Sequence, residues 1–126
     1  MTENEISKFV VDSAIEVHRT LGGPGLLEGV YRESLMWELR NRGLTVEPEL
    51  QVPIRYKGIA LKSPLRLDLL VNKKVVIEVK AVVNYNSIFE AQCLTYLRLL
   101  ELKLGMLINF GERRVASGIH RVVNGL

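Results

Sequence analysis

Residues Arg66–Ala81 read RLDLLVNKKVVIEVKA. Two apolar runs flank the polar triplet Asn72–Lys74, the pattern of a β-hairpin. Asp68, Glu78 and Lys80 interrupt those runs. A sheet keeps such groups only where they are paired, bound to a metal or set at a working edge. Side chains alternate along a strand, so Glu78 and Lys80 share one face while Ile77 and Val79 share the other. A three-residue turn pairs Val71 with Val75 and, counting outward, sets Asp68 opposite Glu78. A two-residue turn would put the two acids on opposite faces. Directly opposed residues have Cβ atoms about 4.5–5.5 Å apart, and two ionised carboxylates that close need a shared proton or a cation. A hard divalent ion held through oxygen ligands and several retained waters meets that need. The Lys80 ammonium could orient an attacking water or stabilise charge on a phosphoryl oxygen. A simple ion pair between Lys80 and one acid accounts for the same spacing.

The flanking sequence frames this hairpin. Ile6, Val10, Ala14, Val17 and Leu21 recur at three- and four-residue steps, one apolar stripe of a helix. Thr2 and Glu5 fit a capping box at its start, and GGPG at Gly22–Gly25 ends it. A second helix is expected from Leu27 to Asn41, with Tyr31, Leu35 and Leu39 on one side and Gly43 closing it. From Val46, VEPELQVPIRY alternates around two prolines, which points to an edge or bent strand. YKGIAL turns into a short partner. After the hairpin, Ser87 and Glu90 resemble another capping box, opening a helix to about Lys103 with Phe89, Cys93, Tyr96, Leu97 and Leu100 on one face. LGMLINF reads as a buried strand and RVASGIHRVV as a last one. The expected order is ααβββαββ, a mixed α/β domain spanning residues 1–126.

The 126 residues suffice for one core. They are 48% hydrophobic and 25% charged, with a net charge of +3, and the pI is near 9.2. That balance permits contact with nucleic acid without requiring it. Cys93 stands alone, which excludes an internal disulfide and a cysteine-cluster zinc site. The start, MTENEISK, has no apolar core of a signal peptide, and no run reaches the roughly 18 apolar residues of a membrane span. A cytoplasmic protein is the expectation.

Asp68, nine intervening residues, then Glu78-Val79-Lys80 resembles the D…(D/E)xK signature of PD-(D/E)xK nucleases, with Leu67 where that signature often has proline. GLLEGVY at Gly25–Tyr31 resembles the motif of the GxxExxY proteins within that superfamily, and the similarity extends through EAQCLTYL, LGMLINFG and RVVNGL. The resemblance implies a restriction-endonuclease-like mixed sheet flanked by helices. It also implies a metal-dependent phosphodiester hydrolase acting on DNA, with Mg²⁺ or Mn²⁺ held by Asp68, Glu78, Glu28 and the Val79 carbonyl. Lys80 would position the attacking water and Gln92 would support Lys80 or the phosphate. Gln92 lies among Phe89, Cys93 and Tyr96, where an unpaired buried amide would be costly. Tyr31 and Tyr96 are candidates for substrate contact, although an apolar-stripe tyrosine also serves as core with a satisfied hydroxyl. His18 is placed to meet the last carbonyls of its helix, and Arg113, Arg114, Lys73 and Lys74 could meet phosphates. DNA is the expected partner, and a homodimer or protein partner could add specificity to so small a domain. The rival reading is a catalytically silent nuclease fold that binds nucleic acid or a protein.

Overall fold

The computed structural model describes all 126 residues. The elements run α1 Glu3–Thr20, α2 Glu28–Asn41, β1 Val46–Val52, β2 Arg55–Tyr56, β3 Ile59–Ala60, β4 Leu65–Val71, β5 Val75–Lys80, α3 Ile88–Leu100, β6 Leu104–Asn109 and β7 Ile119–Val123. Strands β1-β4-β5-β6-β7 form one sheet. Its ladders are antiparallel except β5–β6, which α3 joins by the helical crossover that a parallel pair requires. The order ααβββαββ therefore holds for this sheet. The tiny strands β2 and β3, the short partner expected at YKGIAL, lie outside this sheet and form a separate two-stranded ribbon.

The sheet is covered on both faces. One face packs on α1 and α2, where Ile6, Val10, Ala14, Val17, Tyr31, Leu35 and Leu39 meet Val71, Val75, Ile77, Val79, Met106 and Ile108. The other packs on α3, with Cys93 and Leu97 against Leu70, Val76, Leu107 and Val122. This two-sided burial explains why β5 and β6 are apolar along their lengths rather than alternating. Gly105 permits the close approach of α3, since a β-carbon there would collide with the Cys93 Sγ.

Termini obey local chemistry, with four departures from expectation. The Thr2–Glu5 capping box forms. The Ser87–Glu90 box does not: the Asn86 side chain accepts from the Ile88 amide at 2.9 Å, while Glu90 accepts from the Tyr85 hydroxyl. The third helix also stops at Leu100, because Glu101 turns left-handed at φ 56° and the Leu102 amide bonds back to the Leu97 carbonyl. His18 is buried, but its Nε2 lies 3.2 Å from the Phe110 carbonyl rather than on its own helix. That contact ties α1 to the end of β6. The final strand begins at Ile119, later than expected, after a 3-10 turn over Val115–Gly118.

Candidate active site

The turn after β4 has three residues. Val71 pairs with Val75, Leu70 with Val76 and Leu69 with Ile77, while Asn72 and Lys73 adopt φ 49° and 55°. Asp68 and Glu78 are next in register, and there the backbone ladder stops. In its place the Asp68 amide donates to Glu78 Oε2 at 2.9 Å, and the Val79 amide donates to Asp68 Oδ2 at 2.7 Å. The two carboxylates interlock between the parted strands, each satisfying a backbone donor of the other strand.

On the outer side, β4 is also unpaired at Asp68. The β1–β4 ladder passes from Pro48–Leu69 to Leu50–Leu67 and skips Glu49, which has φ 49°. Leu69 packs with the α1/α2 core and Leu67 with the α3 core, although strict alternation would give them one face. The hairpin thus twists at Glu49 and Asp68, and this irregularity holds the acid half-exposed beside two otherwise buried strands.

Each acid has one oxygen committed to a backbone amide. Ser13 Oγ is the single buried side-chain oxygen or nitrogen without a partner, so Asp68 Oδ1 and Glu78 Oε1, which carry no internal hydrogen bond, reach solvent. Burial pushes the Glu78 carboxyl up to about 8, the neighbouring Asp68 charge adds to the rise, and the Asp68 amide and Lys80 oppose it. Glu28, the first residue of α2, is also shifted upward, first by burial and then by Asp68, with Lys80 and Arg32 opposing. Glu28 therefore shares the electrostatic neighbourhood of the pair, but no three His, Cys, Asp or Glu side chains form a group that could hold a metal ion. The donors present are two free carboxylate oxygens. They suit Mg²⁺, which keeps several waters and binds through one or two carboxylates plus substrate phosphate.

Lys80 closes β5 and is half-buried. It forms no ion pair with an acid, contrary to the simple structural alternative. Its Nζ lies 4.5 Å from the centre of the Phe89 ring, a cation–π contact that fixes the ammonium without neutralising it. Phe89 meets Tyr85 edge-on at 5.6 Å, and Tyr85 stacks on His120 at 4.2 Å. Asn109, which sequence reasoning missed, pairs with Lys80 across β5–β6. Its buried side chain accepts from the Val82 and Gly111 amides and donates to the Val82 carbonyl, each at 3.0 Å. This anchors the segment that leaves Lys80. Its only sequence signal was a polar residue within the apolar run LGMLINF.

The remaining candidates separate. Gln92 is exposed on α3, so the premise of a costly buried amide fails: solvent satisfies it, and it makes no bond to Lys80. Tyr96 is half-buried, and its hydroxyl is shifted upward by burial and then by Glu78 and Asp68, which places it within the field of the pair. Tyr31 does not face substrate. It is fully buried, stacked on Phe110 at 4.7 Å, and its hydroxyl donates to the Gly23 carbonyl at 2.7 Å and accepts from the Leu26 amide at 3.1 Å. Tyr31 therefore clamps the loop that delivers Glu28, with Gly25 supplying a φ of 115° within it. Of the distant cations, Lys73 pairs with Glu47 at 3.5 Å and Lys74 donates to the Met1 carbonyl. Surface hollows of about 460 and 510 Å³ flank Trp37 on α2, and neither includes Asp68, Glu78 or Lys80.

The sequence model of the PD-(D/E)XK nuclease superfamily matches residues 4–122, and the chain belongs to that superfamily. No curated protein and no solved structure matches it. Membership carries a nuclease-type function dependent on divalent metal, with nucleic acid as the kind of substrate. The mixed sheet between helices agrees with the restriction-endonuclease-like fold. No helix is long and apolar enough to cross a membrane.

Proposed function

We propose that this protein hydrolyses phosphodiester bonds in DNA with Mg²⁺ or Mn²⁺ at the Asp68–Glu78 pair. The observation that carries the reading is the interlock of the two acids, which leaves one oxygen of each free within the field of an ammonium that no ion pair neutralises. Oxygens Asp68 Oδ1 and Glu78 Oε1 would hold the ion, with Glu28 and the Val79 carbonyl completing its surroundings through water or at closer range. The bound ion would lower the pKa of a coordinated water and offset phosphate charge. Lys80, steadied by Phe89, would orient that water and balance charge growing on the phosphoryl oxygens. In this reading Tyr96 would donate to the phosphate and Gln92 would meet the strand from the solvent side. The resemblance of Gly25–Tyr31 to GxxExxY proteins supports the same reading by assigning Glu28 to the site.

The test is cleavage of linear, circular, single-stranded and branched DNA with Mg²⁺ or Mn²⁺, beside the Asp68→Asn protein. Asparagine keeps an acceptor for the Val79 amide and removes the charge, whereas alanine would also forfeit that bond and destabilise the hairpin. Divalent-dependent cleavage by the native chain, lost by at least about a hundredfold in Asp68→Asn, is expected for a group that stabilises transition-state charge. Equal cleavage by both proteins would assign the activity to a contaminant. No cleavage by either would leave a silent nuclease fold.

A further inference from the structure

The ribbon β2–β3 is unlike the rest of the molecule. Residues 53–64 are exposed except for half-buried Ile54, and the two strands pair with one another rather than with the main sheet. Lys57 and Gly58 have φ 49° and 79°, the two left-handed residues of the tight turn that matches strand twist. Arg55 pairs with Ala60 and Tyr56 with Ile59, and the Leu61 amide reaches the Ile54 carbonyl at 2.9 Å. So short a hairpin, with no core of its own, gains little stability from burial.

Its charge is uncompensated within the ribbon itself. Residues 53–64 contain Arg55, Lys57 and Lys62 and no acid, which leaves fourteen basic against fourteen acidic residues in the rest of the chain. This exposed element therefore carries a local charge of +3, as does the acid-free C-terminal segment 113–126 with Arg113, Arg114 and Arg121. None of the three cations forms an ion pair, whereas the nearby Arg66 is bound to Glu49 at 3.0 Å. Tyr56 and Ile59 are 59% and 65% exposed between them, an interleaving of cations with flat apolar surface that suits a nucleic-acid strand. The ribbon leads directly into β4, and Asp68 is three residues beyond its start at Leu65. At about 3.3 Å per residue, the chain from the turn to Asp68 reaches no more than roughly 35 Å, about ten base pairs of duplex.

We infer that the β2–β3 ribbon is the docking arm for the phosphate backbone of the nucleic acid, gripping it through Arg55, Lys57 and Lys62 to one side of the Asp68–Glu78 pair. This rests on the proposed cleavage of nucleic acid and adds the surface that captures it. A two-stranded ribbon is of a size to enter the major groove of a duplex, and its cations serve a single strand equally well.

The experiment measures binding in the Asp68→Asn background, so turnover is not needed. Fluorescence anisotropy with duplex DNA, single-stranded DNA and RNA, without divalent ion, is followed from 50 to 300 mM NaCl. Lys57→Ala with Lys62→Ala is compared with Lys8→Ala with Lys103→Ala, which removes the same charge from exposed positions elsewhere. The ribbon pair should lower the slope of log K against log salt by about 1.8 on duplex or 1.4 on single strands. With curves converging near 1 M, affinity at 0.1 M salt falls about 25- to 60-fold. The distal pair should leave the slope within error, and both proteins should melt with the parent. Equal losses in the two pairs, no loss in the ribbon pair, or no binding to any probe at 50 mM salt would overturn the inference. Failure of cleavage alone would sink the hydrolase and leave the arm standing.

Discussion

Replacing Glu78 by glutamine separates the burden of a buried acid from its usefulness. The amide oxygen can still accept from the Asp68 N–H, so the parted strands keep their link, while the ionisable group is removed. In the native protein the Glu78 carboxyl is pushed from the ordinary 4.5 up to about 8. Between those values the folded chain holds a proton that the unfolded chain has released. The sign follows: unfolding free energy falls as pH rises through this window, because the unfolded state binds fewer protons. The slope approaches about 1.4 kcal/mol per pH unit. Over the whole interval the loss is on the order of 5 kcal/mol, complete once pH exceeds the folded-state value. Below the ordinary value both states are protonated and the term is constant.

Burial is the main cause of this behaviour, and among the groups facing Glu78, Asp68 adds to the rise while Lys80 opposes it; Tyr96 and Cys93, raised first by burial, also feel its charge. Urea unfolding at half-unit steps from pH 5 to 9 measures it. Circular dichroism is the suitable signal, since Trp37 is 63% exposed and reports little on the core. Glu78→Gln should flatten the pH profile and exceed the native protein in stability above pH 7.5, and contributions of groups common to both proteins cancel in the difference. Mg²⁺ at a hundred times its dissociation constant should restore about 2.7 kcal/mol to the native protein at pH 8.5 and little to Glu78→Gln. An unchanged pH slope in Glu78→Gln would refute the assignment of that burden to Glu78.

Three further outcomes test the supports of the site. Tyr31→Phe should cost about 1–2 kcal/mol, read by urea midpoint, because the Gly23 carbonyl and Leu26 amide lose their partner, and cleavage should slow as Glu28 loses its fixed entry. Asn109→Ala should cost about 3 kcal/mol by releasing three bonds around Val82 and Gly111, and a melting temperature equal to that of the parent would contradict the anchoring role. Gly105→Ala should destabilise by about 1–3 kcal/mol through collision with the Cys93 sulfur. Adding Cys93→Ala should recover part of that loss, and strict additivity of the two substitutions would show that they do not touch.

The sequence made the hairpin legible because its information is local. Alternation fixed which residues share a face, and the three-residue NKK turn fixed the register that sets Asp68 against Glu78. Alternation could not show that the strands part there. The interlock depends on a third strand, where Glu49 leaves regular geometry, and on burial from α3. The same gap between spacing and packing explains Tyr31 and Gln92. A tyrosine one helical turn beyond Glu28 looks like a neighbour of the site, but its ring lies on the inward stripe with Leu35 and its hydroxyl is consumed by the preceding loop. Gln92 shares a helix with buried Cys93, yet one residue rotates a side chain by about 100°, enough to carry the amide into solvent. Sequence reading also assigned the net charge to the chain as a whole. The fold sets three cations, without ion-pair partners, on one exposed ribbon outside the main sheet, and that changes their physical meaning. A diffuse +3 contributes mainly to solubility, whereas three unpaired cations on a projecting hairpin exchange their counterions for successive phosphates. Capture and chemistry are thereby assigned to the basic ribbon that leads into β4 and to the acid in the middle of that strand. A phosphate backbone repelled by the acid pair can approach it only when the arm, or a cation between the acids, offsets that repulsion.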